Sequence, residues 1–316
     1  MGDEKADAAP KDHATAAARR GELPINDHIV MVNDLERAEA YGAAMHATIR
    51  QGDVVLEVGT GAGLLSCFAV RLGARHVYTV ERSAVLYEVA KKVFAANGVS
   101  EKITLVRAAS ADLKALGVIK DPIDVFVTET IGALGFDEGI VPIFEHVGPL
   151  LTPDTKVIPR NLKLKHCLVN LSGIRERCEV VAPVLGVDLS ALNAELSTNL
   201  FFWPRPIEPW REISTIAETR TYDLRNFTPE ESLQEMMITQ DNVCDGMLTW
   251  AELGLTEHVT MDTRYHHLGH SWGNVLHFMN RMFVGYRQRC TSRFRIHDDR
   301  VGWTLTWDIG PRKPEP

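Results

Sequence analysis

The stretch VVLEVGTGAGLLSCFAVRLGARHVYTVERS, residues 54–83, decides the fold. An apolar run from Val54 to Val58 meets a turn carrying Gly59, Gly61 and Gly63. Apolar residues then recur at helical spacing from Leu64 to Leu72, and a second apolar run covers Val77 to Val80. Short apolar runs bounded by turn residues predict buried strands, and the spacing between them predicts a crossover helix. That is a βαβ unit. Upstream, ERAEAYGAAMHATIR (36–50) has helical spacing; downstream, LYEVAKKVFAANG (86–98) predicts a helix stopped by Gly98. ITLVRA (103–108) and DVFVTET (124–130) predict two more strands. Helix and strand alternating at this rhythm predict an α/β fold with a parallel, doubly wound sheet.

After Pro159 the pattern changes. LKLKHCLVNL, RFRIHD and WTLTWDI alternate with a period of two, which predicts a second, mostly antiparallel domain over 159–316. Pro159 itself, in VIPRN, reads as a turn-forming proline at the junction, where a cis bond is admissible. Residues 1–22, rich in Ala, Lys and Asp, read as a disordered tail, which leaves 23–158 to the α/β domain. One segment departs from the strand pattern. LSALNAELSTNLFFWPRPIEPW (189–210) reads as a short helix and an aromatic, proline-rich stretch. Two readings stand for it: an arm docked on a partner through Leu200, Phe201, Phe202 and Trp203, or a loop folded on its own chain.

Composition narrows the function classes. The 316 residues carry 34 Lys+Arg against 42 Asp+Glu, a net −8, which argues against a basic nucleic-acid binder. No apolar run approaches the roughly 18–20 residues of a membrane span, and the opening stretch has no apolar signal-peptide core. Five scattered cysteines with no CxxC pair fit a reducing compartment, so the expectation is cytoplasmic, without disulfides or zinc. His266, His267 and His270 cluster in YHHLGH, but no suitably spaced Cys or carboxylate accompanies them, and no metal is expected.

The glycine turn reads G-x-G-x-G, with Leu64 where a dinucleotide site carries its last glycine. Glu81 ends the second strand 22 residues beyond Gly59, where an acidic side chain can accept both hydroxyls of a ribose. Glu57 sets a carboxylate beside the glycines; it would repel a pyrophosphate and attract an ammonium or sulfonium. A nucleoside with positive charge is therefore expected, and S-adenosyl-L-methionine fits. Glu129 follows the fourth strand, and Glu138 lies nine residues later on the same loop. Two carboxylates at that sheet edge suit a guanidinium, which is planar and only donates hydrogen bonds.

These residues carry a resemblance. VVLEVGTGAGLLS, VYTVERS and the Glu129–Glu138 loop resemble motif I, post-motif I and the double-glutamate loop of the protein arginine N-methyltransferases. TETIGALGFDEGIVPIFEHV is most similar to the type III, monomethylating branch, and IVMVNDLERAEAY resembles the helix that closes over the cofactor. GHSWGNVLHF (269–278) resembles the loop that completes the substrate pocket, with Ser271 standing where that family has the histidine of a His-Trp pair. Trp272 is kept, and His270 or His267 lies near enough in sequence to substitute.

The resemblance implies a Rossmann-like domain, then a β-barrel substrate domain with a helical dimerisation arm near 189–210, and a homodimer. It implies cofactor contacts at Met31, Arg37, Glu57, Gly59, Gly61, Gly63, Glu81 and Ser110: Arg37 on the cofactor carboxylate, Met31 near the transferred methyl and Ser110 near the adenine. Glu129 and Glu138 become the catalytic pair, with His270, Ser271 and Trp272 beside the substrate. The expected activity is methylation of a guanidino nitrogen, to the monomethyl product, on free L-arginine or a small guanidine or on protein arginine. The single module and the altered His-Trp loop favour the free metabolite. Two alternatives stand: a methyltransferase for another small nucleophile, and a non-catalytic cofactor-binding scaffold.

Overall fold

Two helices, α1 (Ile25–Asn33) and α2 (Leu35–Thr48), lead into the first sheet. Asp34 separates them and caps α2, its Oδ1 accepting a hydrogen bond from the Arg37 backbone N–H at 3.1 Å. Tyr41, Ala44 and Met45, at i, i+3 and i+4, form the buried face of α2. Then come β1 (Val54–Val58), α3 (Leu64–Arg71), β2 (His76–Glu81), α4 (Ala84–Ala96), β3 (Ile103–Arg107), α5 (Leu113–Leu116), β4 (Ile123–Thr128), α6 (Ile140–Val147) and β5 (Leu151–Ile158). This computed structural model describes residues 25–180, 182–193, 200–203, 210–264, 271–272, 274–298 and 303–310.

The five strands are parallel and ordered β3-β2-β1-β4-β5. β1 is buried at all five positions, because helices cover both faces of a central parallel strand; hence its unbroken apolar run with Glu57 inside it. The order reverses between β1 and β4, so the loops beyond their carboxyl ends splay apart and leave a crevice.

Between Ile158 and Asn161 the chain changes sheets, across a cis Ile158–Pro159 bond. β6 (Asn161–Asn170) runs on to α7 (Ser172–Cys178) and β7 (Leu200–Trp203). The short strands β8 (Arg211–Glu212), β9 (Ala217–Glu218) and β10 (Tyr222–Asp223) follow, and then β11 (Ser232–Met237). The chain continues through β12 (Asn242–Gly254), β13 (Thr260–Asp262), β14 (Asn274–Val284), β15 (Arg289–Ile296) and β16 (Trp303–Ile309). They make an eight-stranded antiparallel sheet built around β6, β12 and β14, and a three-stranded sheet β11-β15-β16. β11 alternates buried and exposed residues along its length, the period-two signature of a half-covered strand.

Within the segment 189–210, residues 189–193, 200–203 and 210 are described. Leu200–Trp203 is a strand that pairs with β14, Phe201 opposite Leu276 and Phe202 opposite Val275, so the aromatic run belongs to the sheet. Its β-branched-poor but aromatic composition suits a strand as well as a docking arm. Exposed apolar side chains occur at Val184, Leu185, Val187, Leu189 and Leu192. Residues 1–24, which include the tail, lie outside the described residues, as do 194–199 and 204–209. Among the described residues no helix is long and apolar enough to cross a membrane.

One aromatic cluster ties the two halves together. Phe136, on the loop after β4, is fully buried, and its ring centroid lies 5.5 Å from that of Tyr222, 6.2 Å from Phe227 and 5.9 Å from Phe294. The loop that bears Glu129 and Glu138 is therefore anchored on the antiparallel half. Phe136→Ala should cost about 3–5 kcal/mol of stability, the transfer term plus an unfilled cavity. Urea denaturation followed by circular dichroism measures this; a loss below about 1 kcal/mol would mean that the loop packs independently of the cluster.

Candidate active site

The carboxyl ends of β3, β2, β1 and β4 border one cavity of about 920 Å³, also lined by α1, α2, α6 and the Ser271–Trp272 segment. Its floor is the glycine turn. Gly59 and Gly61 have φ of +86° and +53°, and a β-carbon on Gly59 would stand 2.7 Å from Thr130 Oγ1, so only glycine brings the backbone this close. Glu81 braces the turn: Oε2 accepts from Gly61 N–H at 2.9 Å and Oε1 from Ser83 N–H at 2.8 Å. Each oxygen keeps a lone pair for a further donor.

Glu57 is 1% exposed and borders the same cavity. Its Oε2 accepts from Ser66 Oγ and, at 2.8 Å, from Thr79 Oγ1, while Oε1 has no hydrogen-bond partner. Burial pushes its carboxyl up to about 7, against the pull of the two hydroxyls. An unpartnered buried acceptor facing a cavity is a site for a donor, best a cationic one.

At the other end, Arg37 is nearly enclosed. Its Nη2 pairs with Glu129 Oε2, its Nη1 donates to Ser271 Oγ at 3.0 Å, and the guanidinium carbon lies 4.9 Å from the centroid of the Trp272 ring. Trp272 is fixed in turn by its Nε1–H, which donates to the Ile131 carbonyl at 2.9 Å. The Ser271 N–H donates to Asp34 Oδ2 at 2.6 Å, which ties this loop to the α2 cap. Glu129 Oε1 is buried without a partner. Glu138 is accessible through the cavity but ringed by protein elsewhere; that desolvation, then the charge of Asp137, pushes it up to about 7, against Arg37 and Arg82. Burial likewise raises Asp137 to about 6, although it accepts the Leu134 N–H at 3.2 Å.

The structure brings together most of the residues singled out in the sequence. Met31, Arg37, Glu57, Gly59, Gly61, Glu81, Ser110, Glu129, Glu138, Ser271 and Trp272 all border the cavity. Gly63 does not; it caps α3 with φ +89°, and a β-carbon there would meet the Phe94 ring at 2.5 Å, so the position requires glycine for packing. Arg37, expected on a cofactor carboxylate, here sits on Glu129, because an unscreened buried carboxylate is its nearest strong partner. His270 and His267 lie outside the described residues.

Sequence reasoning passed over His28, Tyr41, Arg82, Asp137 and His146, which border the cavity as well. His28 stands one helical turn before Met31, and that spacing was the available signal. Tyr41 donates to the Thr128 carbonyl at 3.1 Å, and His146 Nδ1 meets Ser110 Oγ at 2.9 Å; neither pairing leaves a trace in the sequence. Among the described residues no group of three or more His, Cys, Asp or Glu is placed to hold a metal ion.

A parallel sheet with a glycine turn, an acid ending β2 and a carboxylate-lined crevice at the switch point defines a Rossmann-like domain with a ligand-binding crevice. Residues 41–158 match the family model of ribosomal protein L11 methyltransferase (PrmA). Over a longer stretch the chain is similar to arginine N-methyltransferases. It is 30% identical over 239 residues to an arginine N(omega)-methyltransferase of Streptomyces achromogenes subsp. streptozoticus, covering 74% of this chain and 65% of that protein. It is 28% identical over 272 residues to human protein arginine N-methyltransferase 9, covering 75% of this chain and 32% of that one. The chain thus spans less than two thirds of either relative's length. The fold is that of the Trypanosoma brucei PRMT1 enzyme-prozyme heterotetrameric complex with AdoHcy, with a TM-score of 0.79, 18% identity, and 91% of this chain and 93% of that chain covered.

Glu57 yields a pH test. Its folded value of about 7 lies above the ordinary 4.5, so the stability it contributes is full below about 4.5 and is lost as pH rises through 7. Glu57→Gln stays neutral throughout. Relative to the parent, it should gain roughly 2–3 kcal/mol between about pH 4.5 and pH 8. Paired urea melts at the two pH values read this, and equal differences at both would show that Glu57 titrates normally.

Proposed function

We propose that this protein is an S-adenosyl-L-methionine-dependent N-methyltransferase that monomethylates a guanidino nitrogen, on free L-arginine or a small guanidine in preference to protein arginine, in the cytoplasm. The observation that carries this reading is the seat of Arg37. The chain's own guanidinium rests against a carboxylate and over an indole face, in a crevice where Glu129 still has an unpartnered oxygen and Glu138 stands open. Such a crevice suits a planar cation.

The residues present fit the cofactor. Glu81 would take the ribose hydroxyls on its remaining lone pairs, Glu57 Oε1 a donor from the amino-acid end, and Ser110 with His146 borders the base. When bound, S-adenosyl-L-methionine supplies an already electrophilic methyl group. The protein's task is alignment and charge. A guanidinium is a poor nucleophile because its lone pairs are delocalised. Glu129 and Glu138 would hold its plane, draw positive charge off the attacking nitrogen and so strengthen as the reaction proceeds. Trp272, locked by Ile131, covers one face.

Mass spectrometry of products formed from free arginine and from an arginine-rich peptide, run side by side, tests the reading. A single methyl on free arginine is the expected product; modification of the peptide alone would move the substrate to proteins, and no methylated guanidine would refute the activity. Glu129→Gln and Glu138→Gln should each lower kcat/KM by about 10²-fold, since an amide N–H faces the guanidinium's own donors. Near-normal turnover in either variant would point to a neutral nucleophile.

Assembly belongs to the same proposal. Leu185 is 99% exposed, with Val184, Val187 and Leu192 beside it in sequence and also bare. A second, smaller cleft of about 240 Å³, lined by Val32, Leu64, Cys67, Phe68 and Val93, offers an apolar seat on the opposite half. A second copy inserting the 184–192 excursion there would cover both surfaces. Light scattering at micromolar concentration should report a dimer, and Leu185→Asp a monomer; a monomeric parent would reject the homodimer.

A further inference from the structure

We propose that Arg82 holds the α-carboxylate of a free amino-acid substrate, so that the site selects L-arginine over guanidines that lack this group and over arginine within a peptide; this rests on the guanidino reading of the site. The charges in the cavity single Arg82 out. S-adenosyl-L-methionine and free arginine would each bring one α-carboxylate to a cavity whose described lining holds two guanidinium groups, Arg37 and Arg82. Arg37 is engaged: it pairs with Glu129, donates to Ser271 Oγ at 3.0 Å and lies over the Trp272 ring. Arg82, among the described residues, makes neither a hydrogen bond nor an ion pair, although six carboxylates border the same cavity. Its five N–H donors are open to a ligand.

The backbone fixes the stem of this side chain while its head stays free. Glu81 Oε1 accepts the Ser83 N–H at 2.8 Å, its Oε2 the Gly61 N–H at 2.9 Å and its carbonyl the Ala108 N–H at 3.2 Å. Ser83 caps α4, its Oγ accepting from the Leu86 N–H at 3.4 Å. Arg82 is thus held between two pinned residues, with its own side chain exposed at the cavity. It makes no ion pair with Glu138, yet its charge reaches that carboxyl and opposes the rise that burial causes. A ligand with a cation at one end and an anion at the other suits two such groups. Free arginine is one: its guanidinium would meet Glu129 and Glu138, and its carboxylate, several bonds away, the fork of Arg82 through two parallel hydrogen bonds. The α-ammonium enters a cavity already rich in carboxylates. Arginine inside a peptide carries a neutral amide in place of the carboxylate and leaves Arg82 without an anion.

Agmatine, which is arginine without its carboxylate, is the discriminating probe. In the parent, kcat/KM for L-arginine should exceed that for agmatine, and that for an arginine-rich peptide, by about tenfold or more. Arg82→Ala should remove most of this preference, lowering kcat/KM for L-arginine by about ten- to thirtyfold, chiefly through KM, and that for agmatine by no more than about twofold. The ratio of the two substrates cancels whatever the lost charge does to Glu138. Arg82→Lys should recover part of the preference, since the charge returns without the fork. Calorimetry with S-adenosylhomocysteine should give equal affinities for parent and variants. A parent that takes agmatine or the peptide as readily as L-arginine overturns the proposal and leaves guanidine methylation standing. An equal loss on L-arginine and agmatine in Arg82→Ala also overturns it, as does a fall in S-adenosylhomocysteine affinity, which would set Arg82 on the cofactor. Should Arg82→Ala not fold, the parent's substrate ratio and Arg82→Lys decide. A parent that methylates no guanidine fails the function reading, and calorimetry of L-arginine against agmatine on the S-adenosylhomocysteine complex then decides the proposal: tighter L-arginine sustains it, and equal binding overturns it.

Discussion

Among the described residues six carboxylates border one cavity, those of Asp27, Glu57, Glu81, Glu129, Asp137 and Glu138, against two guanidinium groups, Arg37 and Arg82. Much of the site's behaviour follows from that imbalance. Burial penalises each charged form, so Glu57, Asp137 and Glu138 are all shifted upwards, with a neighbouring acid adding to the shift at Glu57 and Glu138. Arg37 is drawn to Glu129 for the same reason. A cavity in this condition favours cations at both ends, a sulfonium with its ammonium at one and a guanidinium at the other. It also disfavours phosphate, which agrees with a glycine turn whose neighbour is Glu57.

Holding such charges close requires a scaffold stiffer than a surface loop. The Glu129–Gly139 loop obtains it from packing. Gly135, at φ +72°, brings its α-carbon to Ala251, and Phe136 enters the aromatic cluster of Tyr222, Phe227 and Phe294. The Trp272 indole reaches back across to the Ile131 carbonyl. Each half of the molecule therefore locks a piece of the other. The repulsion among the loop's carboxylates is opposed by apolar burial a few residues away, a common way for folds to sustain a charged site.

Much of this was legible in the sequence because it depends on local pattern. Val54–Val58 announces a doubly covered strand by having no alternation, and its bounds match the structure. The glycine spacing and the positions of Glu81, Glu129 and Glu138 follow from strand ends, which a period of apolar residues reveals. Contacts closed over long sequence separations were not legible. Arg37 meets Ser271 across 234 residues, and Trp272 meets Ile131 across 141. Gly63 and Gly61 look alike in G-x-G-x-G, yet a β-carbon at Gly63 would meet the Phe94 ring while one at Gly61 would meet nothing. Leu200–Trp203 was open for a related reason: an aromatic run before prolines suits an arm or a strand, and its pairing partner β14 lies more than seventy residues later.

Ser271 shows how one substitution redistributes work between the two halves. A histidine there would bring a titrating cation close to Arg37, and the two would repel when both were charged. A hydroxyl instead accepts from Arg37 Nη1 while the backbone N–H of the same residue holds Asp34, so the α2 cap, Arg37, Glu129 and Trp272 become one hydrogen-bonded unit. Titratable chemistry is then left to the sheet edge, where Glu138 and Asp137 lie, and this Ser271–Trp272 segment supplies shape: an indole wall and an oxygen acceptor without charge. The Phe136 cluster packs the Glu129–Glu138 loop against the antiparallel half, so it helps to fix where the two halves of the cavity stand. A change in that packing would alter reactivity without touching any charged residue.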